Sequence, residues 1–145
     1  MKKQLMFCAF LGTLSACQQE GDIQPSLVTT AGELDGMYQT NFFLDPSNVA
    51  APIGQLPYIQ IKAETDSNVT ITYTKASSRV NLSLNHVIVI RQNDGVLLRL
   101  GNTDIGTLQT DRVFTNNGME KQGKLLRLNY QIDAQNSLNF TGSKE

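Results

Sequence analysis

The chain has little of the chemistry on which most enzymes depend. Its 145 residues include one histidine, His86, and two cysteines, Cys8 and Cys17, and they include no tryptophan. A serine-type triad needs a histidine with its partners, and a zinc site needs several histidine or cysteine ligands. We therefore expect no metal site and no cofactor. His86, between Leu84 and Ile88, is interpreted as a strand-edge or turn residue that is hydrogen-bonded or solvated.

Acidic residues show no catalytic arrangement either. Glu33 and Asp35 flank the start of the first predicted strand, Asp104 follows a turn, and Asp111 has a basic neighbour. A glycosidase needs two carboxylates that face each other across a sugar-sized cleft, and this spacing predicts no such pair. The glycines follow or precede strands without a helix, so no phosphate-binding loop is predicted. We predict that the protein is not an enzyme.

Long hydrophobic runs are also scarce, and the main one lies at the start of the chain. Two lysines precede the apolar stretch Leu5–Leu14, and the small residues Ser15 and Ala16 follow it. Roughly ten apolar residues are too few to span a bilayer, which takes about 20. A basic start, a short apolar run and a small-residue site are typical of a secretory signal peptide. The sequence therefore predicts a signal peptide over residues 1–16.

This signal ends in the tetrad LSAC at residues 14–17, which resembles the lipobox of bacterial lipoproteins. The resemblance implies that the thiol of Cys17 carries a diacylglycerol and that the signal is removed just before it. A single acyl chain binds a bilayer marginally, whereas two chains hold a protein stably. The implied partner is thus the lipid bilayer, reached through acylated Cys17.

The residues after the cysteine bear on location. Gln18 stands where an aspartate would retain a lipoprotein in the best-known Gram-negative sorting scheme, so the resemblance implies the outer membrane. Glu20 and Asp22 resemble the acidic export signals of Bacteroidetes lipoproteins, which place the protein on the outer face. Without the signal, ten basic residues face thirteen acidic ones, a net charge of −3. A mildly acidic domain is not expected to bind nucleic acid.

The rest of the chain divides into a tether and one domain. Residues 17–32 contain glycine, proline and short polar side chains with little apolar periodicity, and they are interpreted as the lipidated cysteine and a flexible tether. Residues 33–145 are predicted to form a β domain. The connection at 45–56 carries two prolines and a glycine and is interpreted as a lid or a short helical turn.

Apolar and polar residues alternate through this domain with the period of two that is typical of strands with one buried face. Val69, Ile71 and Tyr73, for example, alternate with threonines. Asn-Gly and Asp-Gly pairs supply tight hairpin turns between the runs. The predicted strands are 36–44, 57–64, 69–75, 79–84, 86–92, 96–100, 103–109, 112–116, 124–132 and 137–141.

Consecutive strands with short turns predict an all-β antiparallel meander of about eight to ten strands. We expect a closed or half-open barrel, because closure removes exposed strand edges, and a β-sandwich is the alternative. The Gly36-Met37-Tyr38 element that opens the first strand is similar to the GxY element of small lipocalin-like domains in bacterial envelope lipoproteins. That resemblance implies a lipocalin-like barrel.

Aromatic residues are spread over several predicted strands, so a closed sheet would bring some of them to one interior. The candidate ligand-binding residues are Tyr38, Phe42, Tyr73 and Tyr130. A small barrel is usually filled by its own side chains, but a buried tyrosine hydroxyl needs a partner, which a ligand could supply. We predict a non-catalytic envelope protein that binds a small apolar ligand or an envelope component. The alternative is a structural or interaction subunit with a filled core.

Overall fold

Eight antiparallel strands, each paired with the next along the chain, close into a barrel in the computed structural model, which describes residues 29–144. The predicted signal peptide and Cys17 lie outside the described residues. Pairing between the first and last strands confirms the predicted all-β barrel and excludes the sandwich. The strands are β1 (Gly36–Gln39), β2 (Tyr58–Ala63), β3 (Asn68–Lys75), β4 (Val80–Gln92), β5 (Gly95–Leu100), β6 (Thr103–Phe114), β7 (Glu120–Gln131) and β8 (Ser137–Lys144).

The barrel interior is packed with the apolar residues of the period-two pattern. Alternate residues of the strands are buried, as Ile59 and Ile61 of β2 illustrate, while their neighbours point outward. Burial of each such side chain contributes about 1.5–3 kcal/mol. One contiguous cluster includes Leu34, Tyr38, Ile59, Ile61, Val69, Ile71, Leu84, Val87, Val89, Val96, Leu98, Ile105, Leu108, Leu126, Leu128, Leu138 and Phe140.

A five-residue helix, α1 (Thr30–Leu34), covers one end of this core. The hydroxyl of Thr29 caps it by accepting a hydrogen bond from the amide of Gly32 at 3.1 Å. Ala31 and Leu34 are fully buried against the barrel. The folded domain therefore starts before the predicted boundary at residue 33, because residues 30–32 of the predicted tether belong to α1.

Successive connections lie at alternate ends of the barrel, because every strand runs opposite to its neighbours. The plugged end holds α1, and the β2–β3, β4–β5 and β6–β7 turns leave the barrel there. The cleft end holds the β1–β2 connection, which is segment 40–57, and the β3–β4, β5–β6 and β7–β8 connections. The long segment 40–57 contains two 3-10 helices, Pro46–Asn48 and Ile53–Gln55, in line with the predicted helical turn.

The structure has fewer and longer strands than the sequence predicts. The predicted strands 79–84 and 86–92 form one strand, β4, which is bulged where it pairs with β3 between Val69 and Ile71. Strands 103–109 and 112–116 likewise form β6. The predicted strand 36–44 instead ends at Gln39, because Asn41 turns the chain. Among the described residues, no helix is long and apolar enough to cross a membrane.

Candidate ligand-binding cleft

A cleft of about 420 Å³ opens at the cleft end, between the β3–β4 connection and the β7–β8 turn. Its floor is apolar: Tyr73, Leu82 and Leu138 belong to the packed core or lie against it. Val80 and Ile132 stand at its sides and are exposed to solvent. The volume falls within the range of roughly 300–1,000 Å³ that small-molecule sites occupy. The cleft is thus large enough for one small apolar group.

The rim of the cleft is polar. Lys75, Asn81, Asp133 and Asn136 line it together with two serines. Asp133 organises the β7–β8 turn, since its carboxylate accepts hydrogen bonds from the amides of Gln135 and Asn136, each at 2.8 Å. The hydrogen bond from the Asn136 side chain, followed by those from the two amides, lowers the pKa of Asp133. A pre-ordered polar turn beside an apolar floor favours a ligand with one apolar and one polar part.

Tyr73 is the predicted ligand-binding residue that lines this cleft. Its ring meets Phe140 edge to face, with the ring centroids 6.3 Å apart and an angle of 76°. Burial raises the pKa of Tyr73, and the negative charge of Asp45 raises it further. A protonated tyrosine hydroxyl can donate a hydrogen bond to a ligand. Asp45 belongs to the segment 40–57, so that segment approaches the cleft.

Tyr38 lies elsewhere, in the core beneath α1. It is fully buried, and its hydroxyl donates a hydrogen bond of 2.9 Å to the backbone carbonyl of Leu34. Burial raises its pKa well above the usual range, and the charges of Asp35 and Glu33 raise it further. The partner that a buried tyrosine requires is here a backbone oxygen. Tyr38 is therefore a packing residue that holds α1 in place, rather than part of the cleft.

The other two candidates are also separated from the cleft lining. Tyr130 is partly buried against the core and pairs across the β7–β8 ladder with Leu138, which does line the cleft. Phe42 lies on the outer surface, and its ring touches that of Phe43 with a centroid distance of 4.0 Å. The cleft residues that the sequence did not single out include Leu82, Val80 and Ile132. The only feature of the sequence that could indicate these three residues is their position near the ends of strands.

His86 lies outside the cleft, on the outer surface of β4. Its backbone has φ of 57°, in the left-handed region, and its Nδ1 lies 2.8 Å from a carboxylate oxygen of Glu64. The same carboxylate accepts a hydrogen bond from the Thr70 hydroxyl. His86 is thus in a strand and hydrogen-bonded, and its side chain is 82% exposed.

The acidic residues considered as catalytic candidates have structural partners instead. Asp104 pairs with Arg99 at 2.6 Å, and Asp111 pairs with Arg127 at 2.7 Å. Asp35 accepts a hydrogen bond from the amide of Ala63 at 3.0 Å. Over residues 29–144, no three histidine, cysteine or acidic side chains come together as a metal site would require.

Comparison of the chain with protein families, with curated proteins and with solved structures gave no match in any of the three.

Proposed function

We propose that this protein is a lipid-anchored protein of the bacterial cell envelope whose barrel holds a small apolar group in the cleft at its cleft end. The role is one of binding, without catalysis. The anchor is acylated Cys17, and the residues after it favour the outer membrane, on its periplasmic or its cell-surface side. The bound group is either a free small molecule or an apolar part of another envelope component.

The observation that carries the binding proposal is the apolar floor of the cleft. The barrel core is occupied by side chains, so space for a ligand inside it is not what supports binding. Tyr73, Leu82 and Leu138 instead extend the core to the surface, where Val80 and Ile132 remain exposed. Covering apolar surface of this kind stabilises a complex by about 25 cal/mol for each Å² removed from water.

The binding proposal is tested with the environment-sensitive dye 1-anilinonaphthalene-8-sulfonate, together with mass spectrometry of molecules extracted from the purified protein. Val80→Ser and Ile132→Ser remove apolar contact from the sides of the cleft without touching the packed core. The double variant is expected to bind the dye about tenfold more weakly, a change of about 1.4 kcal/mol. The molecules extracted from the unaltered protein should be depleted in the double variant.

Val49→Ser is the matched control, because Val49 is an exposed valine on segment 40–57 that does not belong to the cleft lining. It should bind the dye as the unaltered protein does. Equal affinity of the double variant and the control would contradict the proposal, and so would repeated extraction of protein that carries no molecule.

The anchor is tested separately in cells. Radioactive palmitate should label the protein, and Cys17→Ala should abolish the label and move the protein out of the membrane fraction. Cys8→Ala is the matched control, since Cys8 lies in the predicted signal and should leave labelling unchanged. Continued labelling or membrane retention of Cys17→Ala would contradict the anchor.

A second function, that of a structural or interaction subunit, is supported by the filled core. A barrel that is stable without a ligand can act through its surface alone. Chemical cross-linking in intact membranes and purification of the products separate the two: a defined protein partner retained by the Val80→Ser, Ile132→Ser variant favours the subunit role.

A further inference from the structure

An exposed apolar patch lies on the outside of the barrel, where the β6–β7 hairpin meets β1 and the residues just beyond it. Its members each expose between 41% and 63% of their area, and they are Met37, Phe42, Phe43 and Met119. We call these four residues the apolar patch. The ring of Phe43 lies against Gly118 of the hairpin turn, and Met37 and Asn116 line the same shallow groove. Large apolar side chains seldom remain exposed together without a partner.

Buried Asn41 anchors the part of the apolar patch that contains Phe43. The side-chain oxygen of Asn41 accepts hydrogen bonds from the amides of Phe43 and Leu44, each at 3.0 Å. Its side-chain nitrogen donates to the carbonyl of Phe114 at 2.6 Å, and the Phe43 ring stacks on that of Phe114. This part of the patch is therefore fixed to the end of β6. Little conformational entropy is lost when it binds another surface.

The chain enters the domain at the plugged end, where the Ala31 amide donates a hydrogen bond to the Asp66 carbonyl of the β2–β3 turn, and β1 leads from there to the patch. Met37 is the second residue of β1, and only Asp35 and Gly36 separate it from the last residue of α1. A contact between α1 and the base of the hairpin joins the two regions further, since the Glu33 carboxylate lies 3.5 Å from the Lys124 amine of β7. An anchor before Thr29 therefore holds the plugged end, from which β1 and the β6–β7 hairpin extend to the apolar patch.

From these observations we infer that the apolar patch contacts the surface of the bilayer to which Cys17 ties the domain. The inference rests on the proposed anchor. Eleven residues separate Cys17 from Thr29, and even at full extension they reach no more than about 40 Å. Phenylalanine and methionine suit the boundary between headgroups and acyl chains, and the exposed Lys121 of the same hairpin suits anionic headgroups.

Contact of this kind orients the barrel. The side that carries β1 and the β6–β7 hairpin faces the bilayer. The cleft lies between the β3–β4 and β7–β8 connections, which leave the barrel at the opposite end from that hairpin. Of the part of the chain that the structure describes, no residue that lines the cleft belongs to β1, to segment 40–57 or to the hairpin. The cleft lining is therefore separate from the apolar patch, even though segment 40–57 carries Phe42 and Phe43 and approaches the cleft through Asp45. A residue of the cleft and a residue of the patch thus report on different surfaces of the barrel.

Tryptophan fluorescence tests the orientation, since the chain has no tryptophan of its own. The chain from Cys17 onward has that cysteine as its only thiol, so it can be coupled to a maleimide phospholipid. The vesicles contain phosphatidylcholine with brominated acyl chains and a fraction of phosphatidylglycerol. Phe42→Trp and Met119→Trp report on the apolar patch, and Ile132→Trp is the control at the cleft.

The two patch variants should lose roughly half of their emission on brominated vesicles relative to unbrominated ones, because bromines quench only residues within the acyl boundary. Ile132→Trp should keep its emission. Circular dichroism checks the fold, and Met119→Trp decides the test if Phe42→Trp alters it. Equal quenching at patch and cleft, or no quenching at the patch, would overturn the inference. Chemical coupling makes this result independent of lipidation in cells, which palmitate labelling tests.

Discussion

The two ends of the barrel are built differently. At the plugged end, α1 is buried, tied to Tyr38 by a hydrogen bond, and joined through Glu33 to Arg91 at 2.6 Å and to Lys124 at 3.5 Å. At the cleft end, no α-helix of residues 29–144 covers the core, and Tyr73 and Leu82 are only partly buried. Both ends belong to the same barrel, so the difference in their contacts arises from the segments that cover the strand ends.

The contrast separates stability from binding. Side chains at the plugged end have their partners within the chain. At the cleft end, apolar side chains remain exposed to water, which is unfavourable. A site for another molecule requires such unsatisfied surface, and regions that bind commonly have fewer stabilising contacts of their own. Substitutions at the plugged end should therefore lower the free energy of unfolding more than comparable substitutions at the cleft end.

Leu34→Ala should have the largest effect. Leu34 is fully buried between α1 and the barrel, and removing such a side chain costs about 3 kcal/mol through lost burial and a cavity. Leu82→Ala at the cleft end should cost about half as much, since Leu82 is only partly buried. Urea unfolding measures both. Equal losses would show that α1 packs no more tightly than the cleft floor.

Gly118→Ala and Gly101→Ala form the next pair. Both glycines have positive φ, at 77° and 59°, so alanine costs each about 1 kcal/mol in strain. A Cβ on Gly118 would also approach the Phe43 ring to 2.6 Å, whereas a Cβ on Gly101 would meet no atom within 4 Å. Gly118→Ala should thus unfold at lower urea than Gly101→Ala. Identical midpoints would mean that the Phe43 ring moves aside freely.

Tyr38→Phe should lower the free energy of unfolding by about 1 kcal/mol, because it removes the hydrogen bond to the Leu34 carbonyl and leaves that buried acceptor unpaired. Tyr73→Phe should change it by less than about 0.5 kcal/mol, since its ring stays packed on Phe140. Thermal unfolding of both variants tests the difference. A larger loss for Tyr73→Phe would reverse the contrast between the ends.

Glu33→Gln should have the smallest effect, under about 1 kcal/mol at pH 7, because the ion pairs are partly exposed. Burial of Glu33 opposes its ionisation, but the hydrogen bond from Arg91 and the charges of Arg91 and Lys124 outweigh it, so its pKa lies below the ordinary 4.5. Ionised Glu33 therefore stabilises the fold above that pH, and the contribution is lost as the pH falls through the lowered pKa.

Urea unfolding of the unaltered protein and Glu33→Gln, at neutral and acid pH, measures this dependence. The gap between them should close on acidification and also in high salt, which screens ion pairs. Asp133→Asn is the counterpart at the cleft end, where hydrogen bonds rather than ion pairs lower the pKa of Asp133. Its effect should survive high salt, and a salt-sensitive effect would contradict that assignment.

The barrel itself could be predicted from the sequence, because alternation and turn residues are local signals. Strand ends were harder. Residues 85 and 86 break the alternation of β4, since Leu84 and Val87 are both buried, and such a break resembles a turn. It is a bulge, and His86 adopts a left-handed backbone there. A bulge inserts a residue while the strand continues, and the period alone cannot tell the two apart.

The cleft could be predicted only in part. Alternation indicates that Tyr38 and Tyr73 face the interior, but it does not indicate how deep each lies along the strand. Depth decides that Tyr38 bonds to α1 and that Tyr73 reaches the cleft. The predicted strand 36–44 includes Phe42, whereas the Asn41 side chain ends the strand by accepting hydrogen bonds from the amides of Phe43 and Leu44.

The seam that closes the barrel is short. Tyr38 pairs with Lys144 and Gln39 with Ser143, and Lys144 also donates a hydrogen bond to the carbonyl of Asp35, 109 positions earlier in the chain. Contacts between such distant positions form late in folding, because the entropy cost of closing a long loop comes before the contacts stabilise the fold. During synthesis the barrel therefore cannot close until β8 is made. A molecule that binds the chain before the barrel closes therefore meets unpaired strand edges.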